Sequence, residues 1–359
     1  MAIYSIIKGA GSCVPDRVVS NADFLDSTFC DSRGDRLNGS NNKIIETFQK
    51  ISGIQERRYI AEGLVTSDIG YLAAQDALSS ARIDRERFDY IIVAHNHGDV
   101  RAGTNRVDII PSLAARIKHK LGIENAATVA YDVIFGCAGW LQSVIQADIY
   151  IKSGYAQRIL VIGAETLSRI SDPHDRDSML YADGAGAVIL EAYESDEPVG
   201  ILASLTRSDT LGLAYSLQMG RSNDLTHCAD ERFLKMEGRK VYEYALNTVP
   251  ALMKECLDQA KRSIDEVKKV LIHQANAKML DKMLIRFFDL YETRCIPEYI
   301  MPRTISKYGN NSCATLPILF DHLIKNKLTN HSLGQGDLVI LASVGAGMNA
   351  NVVVYQQPW

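Results

Sequence analysis

Phe135 to Trp140 reads FGCAGW: one cysteine at a turn that has glycine on both sides of it. The apolar run ATVAYDVI (Ala127 to Ile134) precedes it and the helical pattern LQSVIQADIYIKSG (Leu141 to Gly154) follows. Two readings of Cys137 compete. Free cysteine is among the most often buried side chains, so a packed thiol fits. A thiol where a strand turns into a helix also meets backbone N–H groups and the helix dipole, which favour a thiolate and so a nucleophile.

The whole chain narrows the choice. Its 359 residues can bury a sizeable core in two domains or one large α/β unit. A hydrophobic content of 47% and a charged content of 23% are ordinary for a globular protein. A net charge of −4 argues against nucleic acid or an anionic membrane as partner. No segment approaches the roughly 18 apolar residues a membrane span needs. In MAIYSIIKGAGSCVP the apolar stretch comes before Lys8, so it reads as a first strand and not as a signal peptide. Cys13, Cys30, Cys137, Cys228, Cys256, Cys295 and Cys313 are scattered and form no C-x-x-C pair. Neither a disulfide framework nor a zinc site is expected, and a reducing cytoplasm is.

Short β-branched runs alternate with longer helical patterns, the pattern of parallel sheets covered by helices. The strands of the first half read YSIIKGAGSCV, DYIIVAHN, TVAYDVIFG, RILVIGAETL and AGAVILEA; those of the second read PVGILASLTR, VKKVLIHQA and DLVILASVGAGMNANVVVY. The join falls near AYESDEPVG (Ala192 to Gly200), which divides the chain into 1–195 and 196–359. The halves echo each other. FGCAGW opens a helix leading to RILVIGAETL, and YGNNSCATLPILFDHLIKNK opens one leading to DLVILASVGAGM. A duplication would put Cys137 and the Asn310 region at equivalent helix N-termini.

Other stretches carry chemistry. In VLIHQANAKML (Val270 to Leu280) a strand ends at His273 and Asn276 opens a helix. A strand end is the mouth of an open α/β sheet, although a satisfied buried histidine fits as well. In KYGNNSCAT (Lys307 to Thr315), Asn310, Asn311 and Ser312 are good helix caps, and one amide could instead face a developing negative charge. The small residues of SVGAGM (Ser343 to Met348) allow backbone N–H groups to approach a carbonyl oxygen, or simply a strand to bend. RISDPHDRDSMLYADGAGAV (Arg169 to Val188) is a polar loop running into a strand. Neither it nor HNHGD (His95 to Asp99) has metal-ligand spacing, and no metal or other cofactor is expected.

Taken together and in this order, these motifs resemble the thiolase-fold condensing enzymes, most closely the ketoacyl-carrier-protein synthase III family. The resemblance runs from GAGSCVPDRVVSN (Gly9 to Asn21) through ISGIQERRYI (Ile51 to Ile60), DVIFGCAGW, SDPHDR, YADGAGAVILEA, KMEGRKVYEYAL, HQAN and YGNNSCAT to the final GAG. It implies a duplicated five-layer α/β/α/β/α fold. It implies that Cys137 is acylated by a thioester, and that His273 and Asn310 bind the second thioester and stabilise the enolate formed from it. The N–H groups of Cys137 and of Gly345–Ala346 would then form the oxyanion hole. Arg176, Ile110, Asn276 and Gly238 fall at substrate-binding positions of the family pattern. The family further implies a homodimer with segment 95–112 near the partner's pocket. Arg239 and Lys240 are candidates for docking a carrier protein, or ordinary solvated helix charges.

Some positions depart from that pattern. The coenzyme A clamp of the family often has Trp and Arg where this chain has Thr47 and Ile51, while Arg176, its other wall, is kept. That favours a carrier-protein thioester as donor. Segment 95–112 is longer than in the housekeeping enzymes and Ile110 replaces a phenylalanine that often closes the acyl pocket, which points to a larger or different acyl substrate; a β-ketoacyl nucleophile cyclised to a resorcinol or cyclohexanedione would fit. A degradative thiolase would need a second cysteine in SVGAGM, and a hydroxymethylglutaryl-type synthase a carboxylate base that no motif names. A non-catalytic partner subunit, or an acyltransferase or thioesterase that stops after acylation, stays open.

Overall fold

The computed structural model describes residues 1–227, 230–293 and 295–358, so Cys228 lies outside the described residues. Nine strands build two sheets: β1 (Ala2–Cys13), β2 (Tyr90–Ala94), β3 (Val129–Val133), β4 (Arg158–Thr166), β5 (Asp183–Ser195), β6 (Gly200–Ser208), β7 (Val267–Ile272), β8 (Leu338–Gly345) and β9 (Asn349–Gln356). The first sheet has the order β1-β5-β4-β2-β3 and the second β6-β9-β8-β7.

The pairings repeat. β1 with β5 and β5 with β4 are antiparallel, and β4 with β2 is parallel. In the second sheet β6 with β9 and β9 with β8 are antiparallel, and β8 with β7 is parallel. Both sheets are therefore mixed, where the alternation in the sequence led us to expect parallel ones. The final apolar run, read as one strand, is a hairpin of β8 and β9. It folds back at Gly347 (φ +79°) and Met348 (φ +53°), left-handed conformations that end a strand.

Side-chain alternation sorts the strands' residues between layers. Helix α1 (Asn41–Ser52) stands apart, its Ile45 and Phe48 packing in a separate cluster. Ile91, Val93, Leu160 and Ile162 pack outward on α2 (Thr66–Ala81) and α3 (Leu113–Leu121). Their neighbours Ile92, Ala94, Ile159 and Val161 face inward on α4 (Gly139–Lys152). In the second sheet Leu271, Val339, Leu341 and Val353 join that same inner core, together with α7 (Thr315–Ile324). Val270, Ile272, Ile340 and Val352 face the outer helices α5 (Gly238–Gln259) and α6 (Ala277–Asp289). The layers run helices, sheet, α4 with α7, sheet, helices.

The two central helices begin alike. Each follows a single tight turn, Gly136–Ala138 before α4 and Ser312–Ala314 before α7. Each turn opens on a residue with positive φ, Gly136 at +61° and Ser312 at +50°, and has a cysteine in the middle, Cys137 or Cys313.

Candidate active site

Backbone contacts position Cys137. A β-carbon at Gly136 would lie 2.3 Å from the Ala346 nitrogen, and one at Gly345 would lie 2.3 Å from the Cys137 nitrogen and 3.0 Å from that of Ala138. Only glycine allows such approaches. The Ser343 hydroxyl donates to the Cys137 carbonyl at 3.0 Å. The turn after β3 is thus seated on the end of β8, one half of the molecule against the other. Burial pushes the Cys137 thiol up to about 11, against a hydrogen bond from Ser312 that pulls it down; Glu165 adds to the rise. The thiolate expected from the helix N-terminus is overridden by loss of hydration. At rest the sulfur carries its proton.

His273 follows β7, and its N–H donates to the Ala342 carbonyl at 2.9 Å. The side chain is buried, and its Nδ1 has no hydrogen-bond partner among the described residues. Burial lowers its pKa to about 4, so at neutral pH the ring is uncharged. Asn310 is pinned by its main chain: its N–H donates to Leu180 and its carbonyl accepts from Ala182, both at 2.9 Å. Its Oδ1 accepts from the Ser312 N–H at 2.8 Å, which leaves the amide NH₂ as the free end. Asn311 instead donates to the Asp183 carbonyl at 2.8 Å and is structural.

Cys137, His273 and Asn310 line one cavity of about 500 Å³, together with Gly345 and Ala346. Its other walls are mostly apolar. Leu217, Met219, Leu234 and Met236 come from a two-stranded ribbon, Leu217–Gly220 with Phe233–Met236. Sequence reasoning missed this ribbon. Leu234 and Met236 alternate along the second strand, which a period-2 search would have marked, whereas in the first Gln218 lines the cavity between Leu217 and Met219.

Four residues expected to bind substrate do not line this cavity. Ile110 is 86% exposed and does not line this chain's cavity, whereas its neighbour Ile109 does. Asn276 caps α6 by accepting from the Met279 N–H at 3.2 Å, and Ala275 and Met279 line the cavity in its stead. Gly238 is exposed at the start of α5, between the lining residues Met236 and Val241. Arg176 points to solvent with Asp177 at 3.8 Å. Arg239 and Lys240 are paired with Glu243 at 2.8 Å and Glu237 at 2.6 Å. Exposed pairs of this kind are weak and leave both cations accessible.

Cys313 donates its S–H to the Ala94 carbonyl at 3.1 Å and to Glu165 Oε1 at 3.3 Å, which makes it a packed thiol. Sequence reasoning also missed a polar cluster beside Cys137: Asn96, His97, Glu165 and Ser312, with all but Glu165 lining the cavity. HNHGD, considered only for metal binding, contributes two of its members. Among the described residues no group of three or more His, Cys, Asp or Glu could hold a metal ion.

Comparison with known proteins gives a consistent result. The family model for 3-oxoacyl-(acyl-carrier-protein) synthase III matches residues 131–210, and that for the C-terminal part of the same enzymes matches 257–357. β-Ketoacyl-(acyl-carrier-protein) synthase III of Novosphingobium aromaticivorans is 32% identical, over 97% of this chain and 97% of its own. That of Streptococcus suis is 33% identical, over 99% of this chain and all of its own. Among solved structures, the 3-oxoacyl-(acyl-carrier-protein) synthase III of Aquifex aeolicus superposes with a TM-score of 0.78 at 28% identity, over 98% of this chain and 99% of that one. A priming β-ketosynthase from a polyketide pathway gives 0.80 at 26%, over 99% and 96%.

Proposed function

This chain belongs to the 3-oxoacyl-(acyl-carrier-protein) synthase III family and is an acyltransferase that joins two acyl groups through a carbon–carbon bond; from that premise we propose how its own residues divide the work. The observation that carries the assignment is the meeting of Cys137, His273 and Asn310 on one cavity, with Gly345 seated on the Cys137 nitrogen.

In the first half-reaction the Cys137 sulfur attacks the carbonyl carbon of an acyl thioester. The carbonyl oxygen becomes an oxyanion between the N–H groups of Cys137 and the Gly345–Ala346 segment. Collapse expels the carrier's thiolate, which takes up the proton given up by Cys137. The exchange of one thioester for another is close to isoenergetic, so the step is reversible. In the second half-reaction a carrier-bound malonyl or β-ketoacyl thioester lays its carbonyl oxygen against His273 and the Asn310 NH₂. Loss of CO₂ or of a proton leaves an enolate, which these donors stabilise. The ring of His273 is neutral, so it acts by hydrogen bonding and not by charge. The enolate carbon attacks the acyl-Cys137 carbonyl, and the Cys137 thiolate leaves.

The apolar walls contributed by Val107, Ile109, Leu217, Met219, Leu234 and Met236 support an acyl group longer than acetyl as the primer, in keeping with the specialised reading of the sequence. Arg176, free of the protein's interior, is available to a coenzyme A or carrier phosphopantetheine at the mouth. A homodimer is supported by the unpaired outer edge of β3, where Val129 and Ile134 are exposed alongside Ile109 and Ile110. No helix among the described residues is long and apolar enough to cross a membrane. The scattered cysteines, with no C-x-x-C pair, support a cytoplasmic location beside the thioester substrates.

Intact-protein mass spectrometry after incubation with acyl-coenzyme A and acyl-carrier-protein thioesters of graded length tests the proposal. A mass gain that disappears in Cys137→Ala, followed by a carbon–carbon-bonded product on adding malonyl or β-ketoacyl carrier protein, is the expected result. Acylation that yields only free acid would overturn condensation by these residues, and no acylation by any thioester would move the chain to a non-catalytic partner role.

A further inference from the structure

Ser312 lines the cavity with Cys137 and is hydrogen-bonded to its sulfur, and Asn96 links the same hydroxyl to the buried Glu165. The surrounding bonds decide which way the hydroxyl hydrogen points. Asn96 Nδ2 donates one hydrogen to Glu165 Oε1 and the other to Ser312 Oγ, the latter at 2.8 Å. A carboxyl oxygen facing an amide this closely fixes the NH₂ end of Asn96 toward it. Ser312 Oγ therefore accepts from Asn96, and its own hydrogen is left to donate elsewhere.

Glu165 is fully buried, and a lone buried carboxylate is costly. His97 answers it. The Thr66 hydroxyl donates to the Gly98 carbonyl at 2.8 Å, so in its 2.7 Å contact with Thr166 it must accept. Thr166 Oγ1 has then spent its hydrogen and accepts from His97 Nε2, 3.2 Å away. The opposite ring nitrogen, Nδ1, lies 3.2 Å from Glu165 Oε2. Neither of these two atoms makes a hydrogen bond among the described residues, so the polar partners of Glu165 gather on Oε1, which accepts from Asn96.

We propose that Asn96 and Glu165 are positioning residues for the nucleophile: Glu165 anchors the Asn96 amide, Asn96 fills the acceptor side of Ser312 Oγ, and Ser312 is left with its hydrogen aimed at the Cys137 sulfur. The result is a donor held ready for the thiolate in a mostly apolar cavity. It acts on both occasions when that thiolate exists, before acylation and after condensation. Ser312 is the largest influence offsetting the burial of Cys137. The other titratable groups around the sulfur are Glu165, Cys313 on the next turn, Tyr181, His273, and His95 and His97 across the cavity.

The proposal rests on Cys137 as nucleophile, and the test separates the two claims. Alkylation of Cys137 by iodoacetamide is followed on its own peptide between pH 7 and 11 in the wild type, Asn96→Ala, Asn96→Asp, Ser312→Gly, the Asn96→Ala/Ser312→Gly double variant and Glu165→Ala. Glycine is at ease at the positive φ of Ser312, so that variant removes the hydroxyl without backbone strain. Loss of one hydrogen bond to a charged sulfur raises the thiol's midpoint by about one pH unit, roughly a tenfold slower reaction below it. We expect that loss in Asn96→Ala and Ser312→Gly alike, of constant size from pH 7 to about 10, with no further loss in the double variant. Asn96→Asp, nearly the size of asparagine, accepts where asparagine donated and turns the hydroxyl away, so it should lose at least as much. It also serves if Asn96→Ala fails to fold. Glu165→Ala removes the oxygen that anchors the Asn96 amide and should lose as much as Asn96→Ala; full wild-type reactivity there would overturn the role of Glu165. A loss in Ser312→Gly that neither Asn96 variant shares overturns the proposal, as does a further loss in the double variant. A wild-type Cys137 inert at every pH would instead overturn the nucleophile itself.

Discussion

Gly345 lies so close to Cys137 that a β-carbon on it would sit 2.3 Å from the Cys137 nitrogen. That nitrogen is the proposed oxyanion donor, and two chain segments more than two hundred residues apart in sequence set its place. Gly345→Ala must push the turn and the strand apart. Steady-state assays should show kcat down by a factor of about 10² or more, the size of a lost oxyanion donor. The Cys137→Ser variant, which leaves the turn intact, should keep the wild-type melting temperature where Gly345→Ala lowers it.

His273 and Asn310 act in the proposed scheme after the acyl-enzyme exists. His273→Ala and Asn310→Ala should therefore still gain mass from an acyl thioester at Cys137, yet form condensed product at least about 10² times more slowly. Single-turnover assays that separate acylation from condensation read this directly. Equal loss of both steps would place these residues in acylation too.

Because burial holds His273 near 4 when folded, against 6.5 for the free side chain, the unfolded chain binds a proton between those values that the folded one refuses. Stability then falls as the pH drops through that window, and this group adds no pH dependence above it. Between pH 7.5 and 5 the wild type should lose about 2 kcal/mol more than His273→Gln in chemical denaturation. The other histidines with lowered values, His322 and His331, are present in both proteins and cancel in the difference.

Arg57 is fully buried with no carboxylate against its guanidinium; it donates to the carbonyls of Met179 and Val19 and to Asn21 Oδ1. Burial lowers its pKa to about 10, so it stays charged. It braces Met179, next to the Leu180 carbonyl that accepts from Asn310. Arg57→Ala leaves several acceptors and a void behind and should cost about 3 to 5 kcal/mol in equilibrium unfolding. Lysine cannot reproduce the planar fork and should recover little of it.

The α/β class and the family were legible because motif residues such as Cys137, His273 and Asn310 are held by short-range features: a glycine turn, a strand end, a helix start. What escaped reading depends on partners distant in sequence. Nothing around Ile110 says that Ile109 turns inward instead. Nothing around Cys137 says that desolvation will outweigh a helix N-terminus, since that balance depends on what closes over the sulfur. Asn96 and Glu165 become chemistry only when Ser312, far along the chain, comes between them and the thiol. The hairpin of β8 and β9 was hidden because its bend at Gly347 and Met348 interrupts an otherwise unbroken apolar run.

The matching turns before α4 and α7 also bear on covalent inhibition. An electrophile that enters this protein meets a matched pair of cysteines, each second in a tight turn that opens at positive φ and leads into a central helix. Cys137 faces open cavity, while Cys313 spends its hydrogen on Ala94 and Glu165 inside the packed core. Local backbone shape cannot explain why one is a warhead target and the other is not. Selectivity comes from the space beyond each sulfur, so an inhibitor gains it by filling the Cys137 cavity, and a more reactive warhead would add none.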